Sequence, residues 1–206
     1  MNDVNPELAA VEVSGINRSA FLVRGALATG GLYGAGAVGS FVTRAFAAGG
    51  GDVDILNFAL TLEYLETAFY EDGLKRAKLS GEAKKQATTF GDQEAEHVDA
   101  LVATIKKLGG KLPAKPKAKF PLKDQASILK LAATVENLGA NAYLGQAANI
   151  ESPEVLAAAL SIHSVEARHA AVLNQVTKQE ISPDGAFAKP ASADEVLKAV
   201  QPFLIS

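Results

Sequence analysis

The chain has 206 residues, 48% of them apolar, and a formal net charge of -3, so it can bury one sizeable core. Its basic residues are scattered rather than striped, which leaves no nucleic-acid surface. There is no cysteine and the single methionine is Met1. That excludes disulfides, thiolate zinc sites, iron-sulfur clusters and thioether ligation of haem, and it restricts any metal to oxygen and imidazole ligands.

Residues 1–47 read apart from the rest. A polar start leads to Arg18-Ser19-Ala20-Phe21-Leu22, a Gly- and Ala-rich apolar run extends from Gly25 to Val42, and Ala45-Phe46-Ala47 offers a small-x-small site. A charged region, an apolar region and such a site make an export signal. The run from Arg18 resembles the twin-arginine signal with Ser19 in place of the second arginine, so a degenerate signal of that type and a periplasmic or other extracytoplasmic location are expected. A retained membrane anchor and a cytoplasmic extension are the alternatives, since about 18 residues is the lower limit of a span. Residues 48–52 form a Gly-rich linker, in which Asp52, or Asp54 just beyond it, can cap the next helix.

Residues 53–179 are expected to fold as four helices in two hairpins. The first runs from about Asp54 to Lys78, with Leu56, Ala59, Leu62, Ala68 and Phe69 on its apolar side, and turns at Ser80-Gly81. The second runs from about Glu82 to Leu108, with Phe90, Leu101 and Ile105 inward, and Gly109-Gly110 stops it. Residues 111–123 break all periodicity with their prolines and favour an extended course. About 14 residues at about 3.1 Å each span roughly 40 Å, close to a helix of about 26 residues at about 1.5 Å each, so this crossover can run the length of the bundle. Its lysines read as solvated. The third helix runs from about Asp124 to Asn149, and the fourth from about Pro153 to Lys178, with Ser152 as N-cap and Pro153 in the first turn. In the tail, residues 180–206, a short amphipathic helix from about Ala193 to Val200 is expected to pack Val196, Val200, Phe203 and Leu204 on the bundle.

The second helix carries Glu94-Ala95-Glu96-His97, which returns on the fourth as Glu166-Ala167-Arg168-His169. Residues three apart share a helix face, so each copy offers a carboxylate and an imidazole to one point. A further repeat lies some thirty residues upstream of each copy. Thr61-Leu62-Glu63-Tyr64-Leu65-Glu66-Thr67-Ala68-Phe69-Tyr70 aligns with Thr134-Val135-Glu136-Asn137-Leu138-Gly139-Ala140-Asn141-Ala142-Tyr143, sharing Thr, an aliphatic residue, Glu, Leu and Tyr. Together the hairpins supply four carboxylates and two imidazoles, the ligand inventory of ferritin-like di-iron and di-manganese bundles. Glu63 and Glu94 stand at matching distances from the first turn, and Glu136 and Glu166 from the second, so all four can converge near mid-bundle.

These motifs, with Leu56 to Glu66, Phe69-Tyr70 and the closing Glu195-Val196-Leu197-Lys198-Ala199-Val200-Gln201-Pro202-Phe203, resemble the ferritin-like superfamily. Within it they are similar to exported bacterial ferritin-like domain proteins, the family that includes desiccation-related proteins. The resemblance covers about residues 52 to 206. It implies an all-α ferritin-like four-helix bundle made of two hairpins joined by a long crossover. It also implies Glu63, Glu94, His97, Glu136, Glu166 and His169 as metal ligands for two iron ions, or alternatively manganese. A Tyr seven residues after the first ligand, as in bacterioferritin and rubrerythrin, matches Tyr70.

Such a site reacts with dioxygen or hydrogen peroxide as ferroxidase, peroxidase or catalase-like chemistry. Tyr70 and Tyr143 can each hydrogen-bond a ligand or quench an oxidant, or else serve as core tyrosines. Glu66 lies one turn from Glu63 near the inner face, but the repeat favours Glu63 because Glu66 aligns with Gly139. His163, one turn before Glu166, is either near the site or an ordinary helix histidine, and Glu96 reads as a solvated charge. The rival readings are an iron-storage subunit and a noncatalytic structural or stress-protection bundle. Homodimeric and higher homo-oligomeric states stay open.

Overall fold

The computed structural model describes residues 51–76 and 79–205, and the expected export signal lies outside them. The described residues form α1 (Asp52–Arg76), α2 (Gly81–Lys107), α3 (Gln125–Ala147), α4 (Pro153–Val176), α5 (Ala193–Val200) and a closing 3-10 turn, Gln201–Phe203. They contain no β-strand, and none of their helices is long and apolar enough to cross a membrane. The result is the expected four-helix bundle followed by a short fifth helix.

Helix ends are set by local chemistry. Asp124 sits just outside α3, where its carboxylate accepts from the backbone N–H of Ser127 at 2.7 Å while the Ser127 hydroxyl accepts from Asp124 N–H at 3.0 Å. Ser152 caps α4 through Val155 N–H, with Pro153 in the first turn as expected. Asp52 does something the sequence did not suggest. Its two carboxylate oxygens accept from the backbone N–H groups of Glu151 and Ser152, each at 2.8 Å, so it fastens the turn of the second hairpin to the start of α1.

The hairpins run antiparallel to one another. Tyr70, late in α1, reaches Glu136, while Glu63, earlier in α1, is reached by Tyr143, late in α3. The end of the first hairpin's opening helix also meets the start of α3, where Ser80 N–H donates to the Gln125 side chain at 3.0 Å. α2 must therefore end at the far end of the bundle from the start of α3. The irregular segment 108–124 runs the length of the bundle to join them, as its reach allowed.

That crossover is held at two points. Phe120 is buried and meets Phe69 edge-on at 5.3 Å. Lys119 N–H donates to Phe203 C=O at 2.8 Å and Ile205 N–H to Lys117 C=O at 3.0 Å, so the tail pairs with the crossover backbone. Lys115 lies over the Tyr64 ring, 4.9 Å from its centre.

α1 is buried on two sides because it carries two apolar stripes. Leu56 and Leu60 face the bundle with Leu101 and Ile105, whereas Phe58, Leu62 and Leu65, at helical spacing, meet Val196 and Val200 of α5. The amphipathic tail helix thus covers the second stripe. The bundle interior divides into an apolar cluster around Phe69, Phe90 and Leu173 and another around Leu60, Ile105 and Ile162. The carboxylates fall on the helix turns between these clusters.

Candidate metal centre

All four helices bring an acid to the same level. Glu63 of α1, Glu94 of α2, Glu136 of α3 and Glu166 of α4 are each 0% exposed, and His97 and His169 are buried beside them. Burying four carboxylates is costly unless each finds a counter-charge or donors, so the surroundings of their oxygens decide what the cluster is for.

His97 Nδ1 lies 2.9 Å from Glu94, 3.2 Å from Glu166 and 3.3 Å from Glu63. A single N–H satisfies one such oxygen, here Glu94 Oε2. His169 Nδ1 lies 2.9 Å from Glu94 Oε1 and 3.2 Å from Glu136 Oε2, and its hydrogen bond goes to Glu136. Glu63 Oε2, Glu94 Oε1 and both oxygens of Glu166 are left buried without a hydrogen bond. Orphaned oxygens gathered around a ring nitrogen are what a cation satisfies. The ligand atoms fall into two groups, Glu63, Glu94, His97 and Glu166, and Glu94, Glu136, Glu166 and His169, each with its atoms within 4.8 Å of one another. Glu94 and Glu166 belong to both.

Residues 51–179, more than half of the chain, match the family model of the ferritin-like domain. The chain belongs to this family. Comparison with curated proteins gives no match.

In this ferritin-like domain protons do part of the work of cations. Burial pushes the Glu63 carboxyl up, against the pull of the nearby His97 imidazole, to about 7. Burial and the neighbouring acids raise Glu66 and Glu166 well above the usual carboxylate range. Glu136 is raised as well, chiefly by burial. Glu94 goes the other way: burial opposes its ionisation, but the facing His169 and His97 imidazoles outweigh burial and hold it at about 2. For the imidazoles, burial disfavours the charge but the facing carboxylates win, taking His97 to about 12 and His169 to about 9.

The two tyrosines are placed by the antiparallel packing. Tyr143 donates to Glu63 at 2.5 Å and Tyr70 donates to Glu136, so each serves the single glutamate of the other hairpin. Gly91 of α2 makes room for Tyr70, since a Cβ there would stand 2.9 Å from Tyr70 Cβ. His163 is set apart from the cluster, with its Nδ1 3.0 Å from the Ala140 carbonyl oxygen. Glu96 is exposed.

Two contacts of His169 were not foreseen from the sequence, which showed Phe90 only as an inward apolar residue and gave Gln93 no role. Gln93 accepts from His169 Nε2–H at 2.7 Å, and Phe90 stacks on the same ring at 4.1 Å. Together they fix the imidazole with Nδ1 toward the acids, the role that second partners of metal-bound histidines play. In the repeat the equivalent positions are Val165 and Ile162, so the motif alignment gave no signal for either. Glu66, only 3% exposed, also lies at the cluster's edge.

Proposed function

We propose that the protein is a two-metal carboxylate oxidoreductase of the ferritin-like family, holding two iron ions, or manganese in their place, and acting on hydrogen peroxide or dioxygen. The observation that carries this reading is the convergence of both Glu-x-x-His pairs on the shared acids Glu94 and Glu166, with buried oxygens left unpartnered. Glu63 and His97 would hold one metal, Glu136 and His169 the other, and Glu94 and Glu166 would serve both. Oxygen and imidazole donors suit iron and manganese, and to a lesser degree zinc.

A bound metal pair supplies single electrons from two adjacent ions. With ferrous iron and peroxide the overall reaction takes one electron from each of two ferrous ions and two protons, breaks the O–O bond and gives two waters. With manganese, two peroxides give two waters and dioxygen.

The chain's own residues handle charge and protons. Glu94 stays ionised, the raised carboxyls of Glu63 and Glu166 hold protons that metal binding displaces, and Tyr70 and Tyr143 keep Glu136 and Glu63 oriented by donating to them. Each tyrosine could also give up one electron to a stray oxidant, its phenolic proton passing to the glutamate it donates to. The desiccation-related branch, resting on the likeness over residues 52–206, and an extracytoplasmic location, resting on residues 1–47, are part of the same proposal.

The test is metal content per chain after anaerobic loading with ferrous or manganous ion and removal of excess. About two ions per chain are expected, as is the loss of peroxide-dependent iron oxidation in Glu94→Ala and Glu166→Ala. Near-zero metal would overturn the reading in favour of a structural bundle whose carboxyls are kept protonated.

A further inference from the structure

Glu66 belongs to neither four-residue group. It is nevertheless 3% exposed, and its Oε2 has no hydrogen-bond partner. A buried acid without a donor is costly, and a solvent-facing helix surface would have accepted it freely. The neighbouring helix has made room for it. A Cβ on Gly139 would stand 2.6 Å from Glu66 Oε1 and 2.8 Å from Glu166 Oε2, closer than real Cβ atoms come. Gly139 is also the residue that the internal repeat aligns with Glu66, so one hairpin supplies a carboxylate where the other supplies a gap. That is the point at which the two halves of the centre stop being equivalent.

We propose that Glu66 is a seventh metal-binding side chain, offered to the position of Glu63 and His97 and not to that of Glu136 and His169. The inference rests on the two-metal reading. Glu66 lies one turn beyond Glu63 on α1 and next to the shared acid Glu166, and the charge of Glu63 bears on it more strongly than that of Glu136. The opposite half has no matching acid, but has Gln93 and Phe90 fixing His169. One position is therefore richer in charge and the other more rigid, and the two should load with different affinities.

The experiment is calorimetric titration of the metal-stripped full chain with cobalt(II) alone, repeated on Glu66→Gln and Gln93→Leu. The unaltered chain should show two separate binding steps. Glu66→Gln should weaken one of them by on the order of tenfold, because ligand charge sets affinity in oxygen-rich sites, and leave the other in place. Gln93→Leu should weaken the other step by about 10- to 100-fold. The near-isosteric Gln keeps the packing, and an undiminished melting temperature of the stripped variant would show it. Two steps that are unchanged in Glu66→Gln, or that weaken equally, would overturn the inference while the two-metal reading stands. No binding by the unaltered chain would overturn both.

Discussion

Tyr70 and Tyr143 are seven residues beyond Glu63 and Glu136, about two turns or roughly 10 Å along the same helix, too far to reach their own glutamate. Only the antiparallel setting of α1 and α3 puts each hydroxyl against the glutamate of the other hairpin. The repeat showed that these residues belong together but not that they cross over, because pairing between hairpins depends on their relative direction. Tyr70→Phe and Tyr143→Phe each leave a buried carboxyl one donor short. Each should lower the stability of the metal-free protein by about 1–3 kcal/mol in urea unfolding. An unchanged midpoint in both would show that these hydroxyls contribute nothing to holding the cluster. Glu94, His97, Glu166 and His169 were legible because a three-residue spacing on a helix is a geometric statement, and Glu63 and Glu136 because the upstream repeat aligns them. Gln93 was not, since it reaches a histidine on another helix and its counterpart in the repeat is Val165.

Between elements, α3 and α4 are tied by an asparagine pair besides the contacts that His163 and His169 make. Asn137 Nδ2 donates to Asn174 Oδ1 at 2.9 Å, and Asn174 Nδ2 returns a bond to Asn137 Oδ1 at 3.2 Å. Asn174 is 1% exposed, so its amide has little access to water. Asn174→Leu should cost about 1–3 kcal/mol by leaving Asn137 Oδ1 without its donor, although Asn137 Nδ2 keeps its bond to Ala133 C=O, and adding Asn137→Leu should recover much of that loss, because removing both partners removes the unmet bond. A double-mutant cycle in urea checks it, and a double variant as unstable as the sum of the singles would refute the pairing argument. The crossover was legible in its length and extended course. Its buried Phe120 and its pairing with the tail were not, because an irregular segment has no period from which to read an inward face. α5 was legible, since its amphipathic spacing is as clear as that of the longer helices, and it covers the second apolar stripe of α1.

For the molecule as a whole, the cluster makes stability depend on pH in a direction that metal should reverse. Glu63 holds its proton to about 7 in the folded chain, against 4.5 as the reference value, so the folded state keeps a proton that the unfolded chain has released. Glu66, Glu136 and Glu166 are shifted the same way. Each therefore withdraws stability as pH rises above about 4.5. His97 and His169, raised from 6.5 to about 12 and about 9, contribute stability that is complete below 6.5 and lost as pH climbs through those values. Glu94 opposes them only in acid: its contribution is present above 4.5 and is lost as pH falls toward 2. The metal-free protein should thus melt highest near pH 5 and progressively lower toward pH 9, with a shallower decline or a rise once metal is bound, because bound cations take the place of the departing protons. Melting curves of stripped and loaded protein from pH 5 to 9 test this. A metal-free melting temperature that climbs across that range would mean the buried acids are ionised and neutralised some other way, and the cluster's charge balance would have to be redrawn.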